Sequence, residues 1–244
     1  MAPGIFIVPG LYESRDTFAP LVEYLKEAGF PFIHVTTIVS GGTTSKRHPH
    51  VLSMEDDMEA IRSELVPFVE KSGNEGVILI LHSAGGFLGS GAMKGLAQSA
   101  YEAEAKRGGV RQIVAFTAGL LPVGFEHQHL PFMEIDNDKG IQHAKDPGAF
   151  FNDMSAEDSQ VWADKFTYHP AEGWGKSVKY CGWQDVPVDF IICVNDLILP
   201  AELQEASAFA AEAKIYKLKA GHMPQLSKTR ELGDLILQAI KRLA

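Results

Sequence analysis

Ser83, Asp196 and His222 are the residues of this chain whose types and positions can do chemistry together. Ser83 ends the apolar run Val77-Ile78-Leu79-Ile80-Leu81-His82 and is followed by Ala84-Gly85-Gly86. A serine hydroxyl is a weak nucleophile until a neighbouring base takes its proton. At the tip of a strand–turn–helix elbow it stands exposed to such a base. The small residues after Ser83 let that turn close. The position two before it holds Leu81 where the elbow pattern asks for glycine, and a bulky residue there can crowd the turn. His222 sits in Gly221-His222-Met223-Pro224, between a last predicted strand and a last helix. Asp196 follows the apolar run Val188–Val194, placed to accept an imidazole N–H and hold the tautomer. Asp189 lies at the other end of that run. Each residue has a plainer reading by itself: a small residue easing a turn, or a turn aspartate before Pro200.

Acyl chemistry also needs donors for a developing oxyanion. The residue after the nucleophile, Ala84, offers one backbone N–H. The loop Pro9-Gly10-Leu11-Tyr12 after the apolar run Ile5–Val8 offers a second, from Leu11. Alone, that loop reads as a plain Pro-Gly turn. Two H-x-H pairs, His48 with His50 and His127 with His129, lack a nearby cysteine or a clear carboxylate third ligand. No metal and no cofactor is expected.

The elements that must position these groups follow from periodicity. Strands are predicted at Ile5–Val8, Phe32–Thr37, Val77–His82, Gln112–Thr117, Val188–Val194 and Lys214–Ala220. Helical stretches fall between them at Asp16–Ala28, Met54–Lys71, Ala84–Lys106, Ala201–Ala211 and Lys228–Leu243, with Pro67 expected to bend or shorten the second. Short buried strands alternating with helices predict an α/β fold, a mostly parallel sheet flanked by helices. Its ligand site belongs beyond the carboxyl ends of the strands. From Leu121 to Asp185 no buried strand is predicted. The stretch is rich in aromatics and histidine, with short helices at Asp146–Asn152 and Ser155–Phe166. It reads as a helical lid, residues 121–185, inserted before the fifth strand into a core of residues 1–120 and 186–244. Tyr12, Trp162, Phe166 and Trp183 are candidate pocket residues; Trp162 and Phe166, four apart, would share a helix face.

The 244 residues suffice for one large core. A net charge of −9 with no basic stretch disfavours nucleic acid as a partner. The two cysteines, Cys181 in a loop or lid and Cys193 in a strand, predict no disulfide and fit a reducing cytosol. No positive n-region precedes the first strand and no apolar run reaches membrane length. The expected address is therefore cytoplasmic. The expected partner is a small-molecule substrate, with a homodimer left open and no membrane association.

In its whole-length pattern the chain resembles the α/β-hydrolase superfamily. More narrowly it is similar to the small single-domain branch that includes plant methylesterases, hydroxynitrile lyases and their fungal and bacterial esterase-like relatives. The matching segments are Val8-Pro9-Gly10-Leu11-Tyr12, His82-Ser83-Ala84-Gly85-Gly86, Phe150-Phe151-Asn152-Asp153, Asn195-Asp196 with Pro200, and Gly221-His222-Met223-Pro224. The resemblance implies Ser83 as nucleophile, His222 as base, Asp196 as orienting acid, and the Leu11 and Ala84 N–H groups as oxyanion hole. A bulky residue at the Leu81 position is common in this branch. Many relatives have a histidine soon after the oxyanion-loop aromatic, where this chain has Glu13. The function expected is a serine hydrolase acting on a small apolar carboxylic ester or lactone. Alternatives are a lyase, a carbon–carbon bond-cleaving or cyclising enzyme on the same fold, and a hydrolase-fold ligand receptor. A lyase of the hydroxynitrile type would want a lid cation near Ser83, for which Lys165, Lys176 and Lys179 are the candidates.

Overall fold

The computed structural model describes residues 2–46, 50–174 and 176–243. Strand β1 (Gly4–Val8) leads through a single 3₁₀ turn into α1 (Ala19–Glu27) and β2 (Ile33–Val35). Helix α2 (Met54–Ser72) starts at a reciprocal cap: the Asp56 N–H meets the Ser53 hydroxyl and the Ser53 N–H meets the Asp56 carboxylate. Such a cap is worth about 1 kcal/mol. Pro67 does not shorten this helix, which runs on to Ser72. Leu65, Phe68 and Val69 bury against the sheet around the proline, and their burial offsets the roughly 3 kcal/mol an interior proline costs.

Strand β3 (Val77–His82) ends at Ser83. The single helix expected after it is two, α3 (Gly85–Ala92) and α4 (Gln98–Ala103), separated by a turn in which Gly95 takes φ +75°. Strand β4 (Val110–Phe116) follows. Between it and the next strand of the main sheet lies the inserted segment, and here the expectation of a helical lid is corrected. Strands β5 (Met133–Asp136), β6 (Ile141–Ala144) and β7 (His169–Pro170) form a small antiparallel sheet. Among the described residues, α5 (Ala156–Ala163), capped by Ser155, and two 3₁₀ turns accompany it. Strands β5 and β6 are short and partly exposed and the buried β7 is two residues long, so no buried apolar run marks them in the sequence. The chain then returns through β8 (Val188–Cys193), α6 (Ala201–Ala210), β9 (Lys214–Leu218), α7 (Pro224–Ser227) and α8 (Thr229–Arg242).

The main sheet is six-stranded and parallel, in the order β2-β1-β3-β4-β8-β9. Alternate residues of each strand serve opposite faces. Ile5, Ile7, Ile78 and Ile80 pack with α1 and α8, whereas Phe6, Val8, Leu79 and Leu81 pack with α2 and α3. The chain leaves β1 toward β2 and then returns to β3 on the other side of β1. That reversal is the switch point at which ligands bind in open α/β sheets. Val8 pairs with Leu81 in register, so the loop after β1 and the elbow after β3 emerge side by side. Among the described residues no helix is long and apolar enough to cross a membrane.

Candidate active site

Ser83 takes φ +51°, a left-handed conformation that costs a non-glycine residue on the order of 1 kcal/mol and that the elbow imposes. Leu81 does not crowd it. A side chain on Gly89, one helical turn into α3, would reach within 2.4 Å of the Leu81 Cδ2, so the space a glycine would leave in the strand is left in the helix instead. The Ser83 Oγ stands 3.1 Å from His222 Nε2, and His222 Nδ1 stands 2.8 Å from Asp196 Oδ2. Both partner side chains are buried. A carboxylate only accepts, so the Nδ1–H donates to Asp196 and the Nε2 lone pair faces the Ser83 hydroxyl. Asp196 is itself held: its Oδ1 accepts from the Ile198 and Leu199 amides at 2.8 and 2.9 Å. The arrangement can draw the Ser83 proton onto His222 and stabilise the imidazolium that results.

The loops carrying the acid and the base are tied together by the inserted segment. Asn152 Nδ2 donates to the Asn195 carbonyl at 2.9 Å, next to Asp196. Asp153 Oδ2 accepts from the Gly221 N–H, next to His222, and from the Ser227 hydroxyl, both at 2.8 Å. Asp189 lies at the amino end of β8, buried in a separate network with Arg242, Gln112 and Tyr216.

The Leu11 and Ala84 amides donate to no protein acceptor among the described residues. Ala84 is also the N-cap of α3, whose dipole favours negative charge there. An apolar cluster surrounds these groups, containing Leu11, Tyr12, Ala84, Phe150, Phe151, Ile198 and Met223, with Trp162, Phe166, Phe87 and Trp174 packed on it. Phe150 was not among the expected pocket residues, yet its ring lies 5.3 Å from that of His222, edge to face. Tyr12 and Phe166 join it at 6.2 and 5.0 Å. Phe166 falls beyond the end of α5 rather than on it, and Trp162 carries the Lys165 ammonium over its ring at 4.0 Å. Trp183 is a correction. It is buried in the core cluster under α3, its indole N–H donating to the Leu121 carbonyl, and it is not part of the cluster around Ser83. Of the expected lid cations, Lys165 lies over the Trp162 ring, and Lys176 and Lys179 pair with Glu55.

Two buried polar networks were not anticipated from the sequence. Glu13 Oε1 accepts from the Gly10 N–H at 2.9 Å and stands 2.7 Å from His82 Nδ1, and the His82 Nε2–H donates to the His222 carbonyl. Burial alone would lower the His82 pKa, but the Glu13 carboxylate outweighs it and raises it. The second network joins Asp57, Ser40 and His169 to the Tyr12 amide. Burial pushes His169 down to about 3, whereas it pushes Asp57 up to about 6 despite its Ser40 hydrogen bonds. Of the histidine pairs, His48 lies outside the described residues. His50 pairs with Asp56, and the His127 ring packs between Phe87 and Phe125. Among the described residues no three histidine, cysteine or acidic side chains gather as a metal site. Cys181 and Cys193 are both free and buried.

Comparison with known proteins gives a consistent result. The alpha/beta hydrolase family matches residues 5–235. A probable hydrolase from Phoma sp. is 26% identical over 251 residues, covering 97% of each chain. Among solved structures, tomato methylketone synthase I complexed with 2-tridecanone superposes with a TM-score of 0.75 at 13% identity, covering 100% of both chains. Polyneuridine aldehyde esterase superposes with a TM-score of 0.71 at 18% identity, covering 97% of this chain and 99% of the other.

Proposed function

Since the chain belongs to the alpha/beta hydrolase family, we propose that it is a serine hydrolase acting on a small, largely apolar carboxylic ester or lactone. The observation that carries this reading is the unbroken line from the Ser83 hydroxyl through His222 to Asp196, whose second oxygen is pinned by two backbone amides. Ser83 Oγ attacks the substrate carbonyl as His222 Nε2 takes its proton. The tetrahedral oxyanion forms between the Leu11 and Ala84 N–H groups, which among the described residues have no other acceptor to give up. Collapse expels the alcohol, which takes the proton back from His222. A water, deprotonated by His222, then attacks the acyl-serine and releases the acid.

The apolar cluster around Ser83 supports an apolar substrate, because small-molecule sites are mostly hydrophobic with few polar anchors. Residues 121–185 act as its roof through Phe150, Trp162 and Phe166. Esterase or hydrolase names among the relatives agree with this chemistry. A lyase would call on a cation beside Ser83, and two of the three lysines expected for that role, Lys176 and Lys179, pair with Glu55.

A fluorophosphonate probe read by intact mass tests the assignment. One adduct on the wild-type chain, absent in Ser83→Ala, is expected, together with a fall of p-nitrophenyl acetate turnover to near background in that variant. Labelling that persists in Ser83→Ala would refute it.

A further inference from the structure

Leu11 is flanked by two amides that are already occupied. The Gly10 N–H donates to Glu13, and the Tyr12 N–H donates to His169 Nε2 at 3.0 Å. Tyr12 is held at φ +68°, a region that a bulky residue occupies only when its surroundings insist. The inserted segment supplies that insistence on both sides of the residue. The Thr167 N–H donates to the Tyr12 carbonyl at 3.0 Å, and His169, at the start of β7, accepts from the Tyr12 N–H.

His169 is not free to choose its tautomer. Its Nε2 accepts, so a neutral ring carries its proton on Nδ1, which stands 2.8 Å from Ser40 Oγ. The Ser40 hydroxyl in turn donates to Asp57 Oδ2, and the Ser40 N–H donates to Oδ1, both at 2.7 Å. All three side chains are buried. Asp57 can only accept when ionised, so the direction of every hydrogen bond follows from it: Ser40 donates to Asp57, accepts from His169, and leaves the Nε2 lone pair for Tyr12. Desolvation keeps the imidazole neutral, as this requires.

We infer that Asp57, Ser40 and His169 are positioning residues for the oxyanion hole, a one-directional hydrogen-bond chain from α2 through the inserted segment that aims the Leu11 N–H by fixing the peptide that follows it. The inference rests on the hydrolase reading above, since acyl transfer is the chemistry that calls on the Leu11 N–H. None of the three touches the reacting atoms. Their effect should therefore be confined to the step in which the oxyanion develops.

Two variants interrupt the chain differently. Ser40→Ala removes the middle link. Asp57→Asn reverses it: with the amide oxygen kept on the Ser40 N–H, the NH₂ faces Ser40 Oγ. The hydroxyl must then donate to His169, whose proton moves to Nε2 and opposes the Tyr12 N–H. Each should lower kcat on p-nitrophenyl acetate by about ten- to a hundredfold, since one misaligned donor or a 1 Å displacement has consequences of that size. KM should stay within about twofold. Binding of an aryl trifluoromethyl ketone, which forms a tetrahedral serine adduct, should weaken by the same factor as kcat falls. Unchanged kcat in both variants, while wild-type Ser83 still labels with fluorophosphonate, would overturn the positioning role alone. So would parallel losses in kcat, KM and melting temperature, or failure of both variants to fold, because the chain would then serve stability. A wild-type protein that does not label at Ser83 would instead bring down the hydrolase reading, and this inference with it.

Discussion

Asp189 and Asp196 sit at opposite ends of β8, and replacing each with asparagine should separate catalysis from stability. At position 196 the outcome follows from the two backbone amides. The Ile198 and Leu199 N–H groups converge on Oδ1, so the asparagine must place its carbonyl oxygen there. Its NH₂ then faces His222 Nδ1, which must accept. The imidazole proton moves to Nε2 and the lone pair that would take the Ser83 proton is lost. The loss expected from a wrong tautomer is on the order of 10⁴ in kcat, about 5.5 kcal/mol of activation free energy. The fold should survive: only the 3.3 Å hydrogen bond from Gln204 Nε2 loses its acceptor, and that amide still donates to the Cys193 and Leu199 carbonyls. At position 189, Oδ1 accepts from Arg242 Nε and Tyr216, and Oδ2 from Arg242 Nη2 and Gln112. Asparagine would turn an NH₂ toward two donors at one of these oxygens. Arg242 is half-exposed and can turn to water, which limits the cost to about 2 kcal/mol. In a chain of this length that is about 6 °C in melting temperature. Steady-state turnover of p-nitrophenyl acetate and thermal melts on both variants provide the comparison. Comparable losses of kcat in the two, or an Asp196→Asn enzyme within tenfold of wild type, would refute the tautomer argument.

Gly10→Ala would place a methyl 2.5 Å from Glu13 Oε1 and 2.6 Å from the Ser83 Cβ, so turnover should fall by more than a hundredfold with a lowered melting temperature. Kinetics and a melt on that variant check both. Trp183→Ala should cost about 3–5 kcal/mol and leave the ranking of ester substrates unchanged, whereas Phe166→Ala should reorder kcat/KM over short-chain, long-chain and aromatic esters. A Trp183→Ala enzyme with altered preference would contradict its placement in the core. His82 is protonated more readily in the fold than its ordinary value of 6.5 because of Glu13. Its stabilising contribution is therefore complete below that value and is lost as pH rises through the raised one. Melting temperatures from pH 6 to 9 should fall more steeply for the wild type than for Glu13→Gln.

The sequence by itself determined the fold class and the edge at which chemistry can occur. Apolar runs such as Val77–His82 and Val188–Val194 are local signals for buried strands, and the strands observed there, Val77–His82 and Val188–Cys193, agree with them to within a residue. In a parallel sheet every strand delivers its carboxyl end to the same edge, so a strand boundary alone brings Ser83, Asp196 and the loop before His222 to one side of the molecule. The choice of Asp196 over Asp189 for that edge needed nothing more than strand direction.

Side-chain partners at long range were decided by the tertiary structure. His169 meets the Tyr12 amide across 157 positions and Ser40 across 129, and Glu13 meets His82 across 69. An isolated serine, aspartate or histidine carries no periodicity, and its partner is set by how an irregular loop folds back. The inserted segment shows the same limit. Its antiparallel strands are two to four residues long and bury no continuous apolar run, so the sequence pointed to a helical lid and not to a second sheet. Which aromatic faces Ser83 and which fills the core depended on loop paths: Phe150 packs against His222, while Trp183 passes beneath α3. Strand position is written in local hydrophobicity, whereas the pairing of lone polar groups and the facing of loop aromatics exist only once distant segments have docked.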